Sequence, residues 1–183
     1  MAIEIEKKFT LSNDQREQIL ASLKEFGAEF IREDFEENIL YRGDILMEKG
    51  AILRVRKIAD KTILTYKEPV QNSLAHKQRI EYETEVENAD ELKKIIESLG
   101  FTKALVYEKR RKIWHFRSVE VVLDELPFGI YMEIEGSITA IAEAEMFLDG
   151  ENLEEEYQTY PRLTERFGVQ KEHLIESRFS KNP

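Results

Sequence analysis

The sequence predicts an α+β fold: eight mostly antiparallel strands closing into a barrel, helices packed outside it, and a helical C-terminal region. Three observations predict it. Charged and apolar residues alternate along one segment after another, the period of a strand whose two faces meet different surroundings. Two of these charged segments each lead into a capped helix that a glycine ends, so the order β-α-β-β-β occurs twice. The charged faces are almost purely Glu, Lys and Arg, whereas a solvated sheet face usually mixes in Thr, Ser and Gln, so they are read as facing inward. A barrel of about eight strands has an interior that side chains fill or that holds one small ligand.

The first strand, over residues 3–10, places Glu4, Glu6 and Lys8 on one side, while Ile3, Ile5 and Phe9 alternate with them. Glu4 and Glu6 would stand about 7 Å apart. Their repulsion is about 0.6 kcal/mol in water and about 2.4 kcal/mol at an effective dielectric of ~20, so enclosing the pair calls for a cation. Ser12 and Gln15 form a capping box, Ile19, Leu20, Leu23 and Phe26 mark a helical face, and Gly27 stops it. Strands follow near 31–42, 51–58 and 62–68, with Asn38 to Gly50 read as a hairpin loop. Arg54 and Arg56 alternate with Leu53 and Val55, and Thr65 and Lys67 with Leu64 and Tyr66. Glu68 to Lys77 reads as a polar connector.

The second half repeats the plan. Arg79, Glu81, Glu83 and Glu85 alternate with Ile80 and Tyr82. Asn88-Ala89-Asp90 opens a helix with Leu92, Ile95, Ile96 and Leu99 on one face, and Gly100 ends it. Strands follow near 104–116, 119–125 and 130–136. Lys109 and Arg111 are interleaved with the equally charged Arg110 and Lys112, so periodicity alone leaves their phase open. Asp124 ends Val121-Val122-Leu123, and Glu133 and Glu135 alternate with Met132 and Ile134. Beyond them, Ser137 to Leu148 reads as a helix with Ile138, Ile141 and Leu148 on one stripe. Tyr160-Pro161 opens another.

A chain of 183 residues with 42% hydrophobic content suits one domain with a sizeable core. A net charge of −10 disfavours nucleic acid and anionic membrane surfaces as partners. It does not exclude an anionic small ligand, because local clusters and bound ions set the field in a cleft. The chain has no Cys, which excludes disulfides and thiolate zinc sites. No apolar run approaches membrane-spanning length and no leader pattern is visible, so a cytoplasmic location is expected. His76, His115 and His173 are scattered without ligand spacing and are given no catalytic role. Trp114 and Tyr131 are read as core, Glu85 and Arg110 as rim or exterior, and Glu151 to Glu156 as a solvated helix face or loop.

The ordered set Glu4-x-Glu6-x-Lys8, Leu53-Arg54-Val55-Arg56, Thr65-Tyr66-Lys67, Glu81/Glu83/Glu85, Glu108-Lys109-Arg110-Arg111, Leu123-Asp124 and Tyr131-Met132-Glu133-Ile134-Glu135 resembles the CYTH superfamily, or triphosphate tunnel metalloenzymes. The branch it resembles is the class IV adenylyl cyclase-like group. The resemblance implies a single CYTH-like domain over 1–183, with tunnel strands roughly over 1–136 and the C-terminal helical region roughly over 137–180. It implies that Lys8, Arg54, Arg56, Lys67, Arg79, Lys109 and Arg111 bind triphosphate, with Lys8 the candidate catalytic residue. It implies that Glu4, Glu6, Glu133 and Glu135 hold Mg²⁺ or Mn²⁺, with Asp124, Glu81 and Glu83 as secondary candidates. The family's Asp-x-Tyr element after the first helix has no match in Glu37-Asn38-Ile39-Leu40-Tyr41.

The implied function is a metal-dependent triphosphatase, with a class IV adenylyl cyclase making cyclic AMP and pyrophosphate as the alternative. A non-catalytic polyphosphate- or nucleotide-binding module is the reading from another class. It fits the retained carboxylates poorly, since a pure anion binder gains affinity by losing them. The expected partner is a triphosphate-containing small molecule (tripolyphosphate, thiamine triphosphate or ATP), and a homodimer is left open.

Overall fold

A computed structural model describes residues 5–69 and 79–180 of the chain. Glu4, His76 and most of the 68–77 connector lie outside the described residues, as does the side chain of Arg79. The described residues form an α+β structure with one large, mostly antiparallel sheet and five helices. The chain divides into two compact units, one of residues 1–34 and 109–159, the other of 35–108 and 160–183.

The first unit contains β1 (Glu6–Leu11), α1 (Asn13–Glu25), the start of β2 (Glu29–Arg42), the end of β6 (Thr102–Phe116), β7 (Val119–Leu126), β8 (Gly129–Glu135), α4 (Ile138–Phe147) and the two-residue β9 (Glu154–Glu155). Its strands run in the order β6-β7-β8-β1-β9, all antiparallel. Alternation sends Phe9, Leu11, Val121, Leu123, Met132 and Ile134 to one face, where Ile19 and Leu23 of α1 and Ile141 and Ala144 of α4 cover them. Ser12 caps α1 as a capping box, and Gly27 follows its end at φ 73, a backbone that a side chain resists.

The second unit contains the end of β2, α2 (Asp44–Lys49), β3 (Ile52–Ile58), β4 (Lys61–Pro69), β5 (Arg79–Glu85), α3 (Ala89–Ser98), the start of β6, α5 (Tyr160–Phe167), β10 (Val169–Lys171) and β11 (Leu174–Ser177). The antiparallel order is β5-β4-β3-β2, and β11 runs parallel to β6. Ile39, Tyr41, Val55 and Val106 form the covered face, packed against Leu92 and Ile96 of α3.

The twofold β-α-β-β-β order stands, with corrections. Among the described residues the sheet has eleven strands, and its order is a path with β5 and β9 as end members, where a closed ring of eight was expected. Two-residue β9 offers few pairing groups, and β5 carries Glu81, Glu83 and Glu85, features that keep an edge from pairing further. The expected loop from Asn38 to Gly50 is the end of β2 and then α2, a helix too short to show a periodic signal. In α4, Ile138 is exposed and Ala144 takes its place on the buried face. The C-terminal region is not purely helical, because a tight turn at Glu172-His173 makes a hairpin of β10 and β11. Within Glu151 to Glu156, Glu154 and Glu155 form β9, paired to Phe9 and Thr10, so that part is not simply solvated. No helix among the described residues is long and apolar enough to cross a membrane.

Candidate functional site

The face of the first unit's sheet opposite α1 and α4 is polar by register. Strand pairing places Lys8 beside Glu133, Glu6 beside Glu135, and Arg111 beside Asp124. The phase left open by the run Lys109-Arg110-Arg111-Lys112 is settled. Lys109 is buried and Arg111 turns to the same side, while Arg110 and Lys112 pair with Glu125 and Glu33 at exposed positions.

Asp124, with no exposed surface, is the hub. The Arg111 guanidinium donates to it through Nε at 2.8 Å and Nη2 at 2.6 Å, and Lys109 Nζ donates at 3.4 Å. The same Arg111 Nη2 reaches Glu133 Oε2 at 2.6 Å. Lys8 Nζ lies 3.3 Å from Glu133 Oε1 and donates to the Gln158 carbonyl at 3.2 Å. Three cations and two carboxylates thus share one enclosed patch. Buried pairs of this kind recover little net stability, because desolvation offsets most of the attraction.

In the second unit, β3 supplies two guanidiniums on one face. Arg54 Nη2 donates to Thr65 Oγ1 at 3.3 Å, and Thr65 donates in turn to Glu83 at 2.9 Å. Arg54 Nε is buried and has no hydrogen-bond partner among the described residues. Burial and the neighbouring Arg56 charge pull the Arg54 guanidinium below the ordinary arginine range. Arg56 Nε donates to Asn38 Oδ1 at 3.2 Å and lies 3.6 Å from Glu36 Oε2. Lys67 pairs with Glu81 at 2.7 Å, near the β5 edge.

The structure therefore gathers Lys8, Lys109, Arg111, Asp124 and Glu133 in one unit, and Arg54, Arg56, Lys67, Glu81 and Glu83 in the other. Glu6 and Glu135 share the polar face of the first. Among the described residues, no three carboxylates or histidines converge as a metal cluster, and Glu133 is engaged by Lys8 and Arg111. The donors are hard carboxylate oxygens, which fit Mg²⁺ or Mn²⁺ in kind.

Sequence reasoning missed three residues on these faces. Glu36 and Asn38 are buried side by side at 1% and 0% exposure, and the mixed alternation along β2 carried no signal for them. Glu120 stands opposite Glu135 on β7, in the row where Glu135 also faces Glu6, a placement visible only once strands are paired. Trp114 and Tyr131 are core as expected, and Arg110 and Glu85 are exposed.

The family model for the CYTH domain matches residues 2–167, across both units. The chain belongs to the CYTH domain family. Within it, the chain is similar to a Methanocaldococcus jannaschii protein named "Putative adenylate cyclase", with 29% identity over 150 residues, 80% of this chain and 84% of that protein. Among solved structures, a Pyrococcus horikoshii protein superposes with TM-score 0.72 at 26% identity, covering 88% of this chain and 99% of that one. A Hippeastrum protein, described as a "Putative adenylyl cyclase" with a dominant triphosphatase activity, superposes with TM-score 0.66 at 18% identity, covering 93% and 100%, which is a likeness of fold.

Proposed function

We propose that this CYTH protein is a divalent-metal-dependent enzyme acting on triphosphates, and that it hydrolyses inorganic or organic triphosphate. The observation that carries the reading is the Arg54–Arg56 pair, with a buried Arg54 N–H that lacks a partner among the described residues beside a second guanidinium. Two like charges held this way call for an anion with several oxygens, and the planar fork of arginine suits phosphate. The family match across both units supports treating residues 1–183 as one CYTH-like domain.

In this reading Arg54, Arg56, Lys67 and Arg79 are the phosphate-binding cations of the second unit, and Lys8, Lys109 and Arg111 those of the first. Lys8 is the catalytic candidate, a buried point charge for the phosphoryl oxygens that gain charge as the bond breaks. Glu4, Glu6, Glu133 and Glu135 would hold the metal, with Asp124 in support in the same unit and Glu81 and Glu83 as secondary candidates in the other. A bound divalent ion would offset phosphate charge and orient the attacking group. Asp124 keeps Arg111 and Lys109 in place, so that the cations are set before the substrate arrives.

The second reading is a class IV adenylyl cyclase, favoured by the name of the Methanocaldococcus relative. Cyclisation needs the ribose 3′-oxygen in line with the α-phosphorus and a grip on adenine, which hydrolysis does not. Resolving the products from ATP and thiamine triphosphate separates the two. Released phosphate with no cyclic nucleotide is expected. Cyclic AMP with an equal amount of pyrophosphate would transfer the protein to the second reading.

A further inference from the structure

The geometry points to Glu36 and Asn38 as positioning residues that aim the Arg56 guanidinium at the anion. The inference rests on the triphosphate reading above and adds two residues to it. Both lie on β2 in the register that faces β3, with Asn38 opposite Arg56 and Glu36 opposite Ile58. Both are buried, at 0% and 1% exposure, where a polar side chain needs a partner for each of its groups.

Asn38 divides its amide between two neighbours. Its Oδ1 accepts from Arg56 Nε at 3.2 Å, and its Nδ2 donates to Glu36 Oε2 at 3.2 Å. That same Glu36 oxygen lies 3.6 Å from Arg56 Nε. The three side chains form a closed triangle that fixes the guanidinium by its Nε edge. The two terminal nitrogens, which form the bidentate fork for phosphate, take no partner among the described residues. A second carboxylate at position 38 would also hold Nε, but it would neutralise the charge that the anion needs. A neutral amide holds the ring and leaves the charge in place. Glu36, 3.6 Å from the same Nε, adds one negative charge beside the two adjacent arginines.

The test is calorimetric binding of inorganic tripolyphosphate in EDTA, so that no turnover intervenes, with wild type, N38A, R56A and the double variant. N38D, which keeps the shape, serves as a second variant should N38A unfold. N38A and N38D should each weaken binding about tenfold, the cost of a misdirected charge-assisted bond. In the R56A background N38A should alter binding less than twofold, because its effect acts through Arg56. A merely structural role would instead lower affinity equally in both backgrounds. That result, or undiminished binding by N38D, would overturn the inference. If wild type does not bind, or R56A binds as wild type does, the triphosphate reading itself fails and the inference with it.

Discussion

Arg54 and Arg56 stand two residues apart on β3, so strand alternation alone puts both guanidiniums on one face. Thr65 and Glu83 brace the first, and Asn38 and Glu36 the second. If the pair binds phosphate, Arg54→Ala should raise KM for tripolyphosphate about thirtyfold, the roughly 2 kcal/mol of a lost charge-assisted hydrogen bond. Lys24→Ala, on the exposed side of α1, should leave KM unchanged, and steady-state kinetics on both variants checks this. Asp124 makes a prediction of another kind. Its removal strips buried Lys109 and Arg111 of a shared counter-charge, so Asp124→Ala should lose about 3–5 kcal/mol of stability in denaturant unfolding. Arg54 and Arg56 were legible from spacing, whereas Lys109 and Arg111 sit in a run of four cations whose phase spacing leaves open. Glu36 and Asn38 were not legible, because the alternate residues along β2 run Glu, Asn, Leu, a mixture that shows no face until β3 is laid beside it.

At the scale of elements, capped and strongly patterned segments were legible and short ones were not. Helix α1 has a reciprocal capping box and two core residues, and both features are written in the sequence. Leu23, at 1% exposure, packs into the core, so Leu23→Ala should cost about 2–5 kcal/mol, read from the shift in the denaturation midpoint. By contrast, α2 and the β10–β11 hairpin span so few residues that periodicity cannot mark them. In that hairpin, a hydrogen bond from Lys171, with Arg178 nearby, holds the Glu176 carboxyl below the ordinary carboxylate range. A depressed folded value means the contribution is present above the unfolded carboxylate range and is lost as pH falls through the folded one. Acid should therefore loosen the hairpin, and Glu176→Gln should remove that part of the acid dependence, measurable by hydrogen exchange of the β10 and β11 amides between neutral and acidic pH.

For the whole molecule, recurrence of charged faces gave the α+β class and the repeated order, since each strand reports its own two surroundings. Closure was not legible, because it depends on what the edges β5 and β9 do, and edge behaviour is set by length and charge more than by alternation. Glu6, Glu133 and Glu135 share the first unit, and if they hold a metal as proposed the ion binds the folded chain. Mg²⁺ or Mn²⁺ should then raise the melting temperature, since an ion that binds only the folded chain stabilises it by mass action. Calorimetric scans with and without the ions check this. The central claim is metal-dependent triphosphate chemistry, and its most direct test is phosphate release from tripolyphosphate by purified protein with Mg²⁺ or Mn²⁺, in parallel with EDTA. Turnover with metal, none in EDTA and recovery on adding the ion back are expected. Undiminished release in EDTA, or none under any condition, would contradict it.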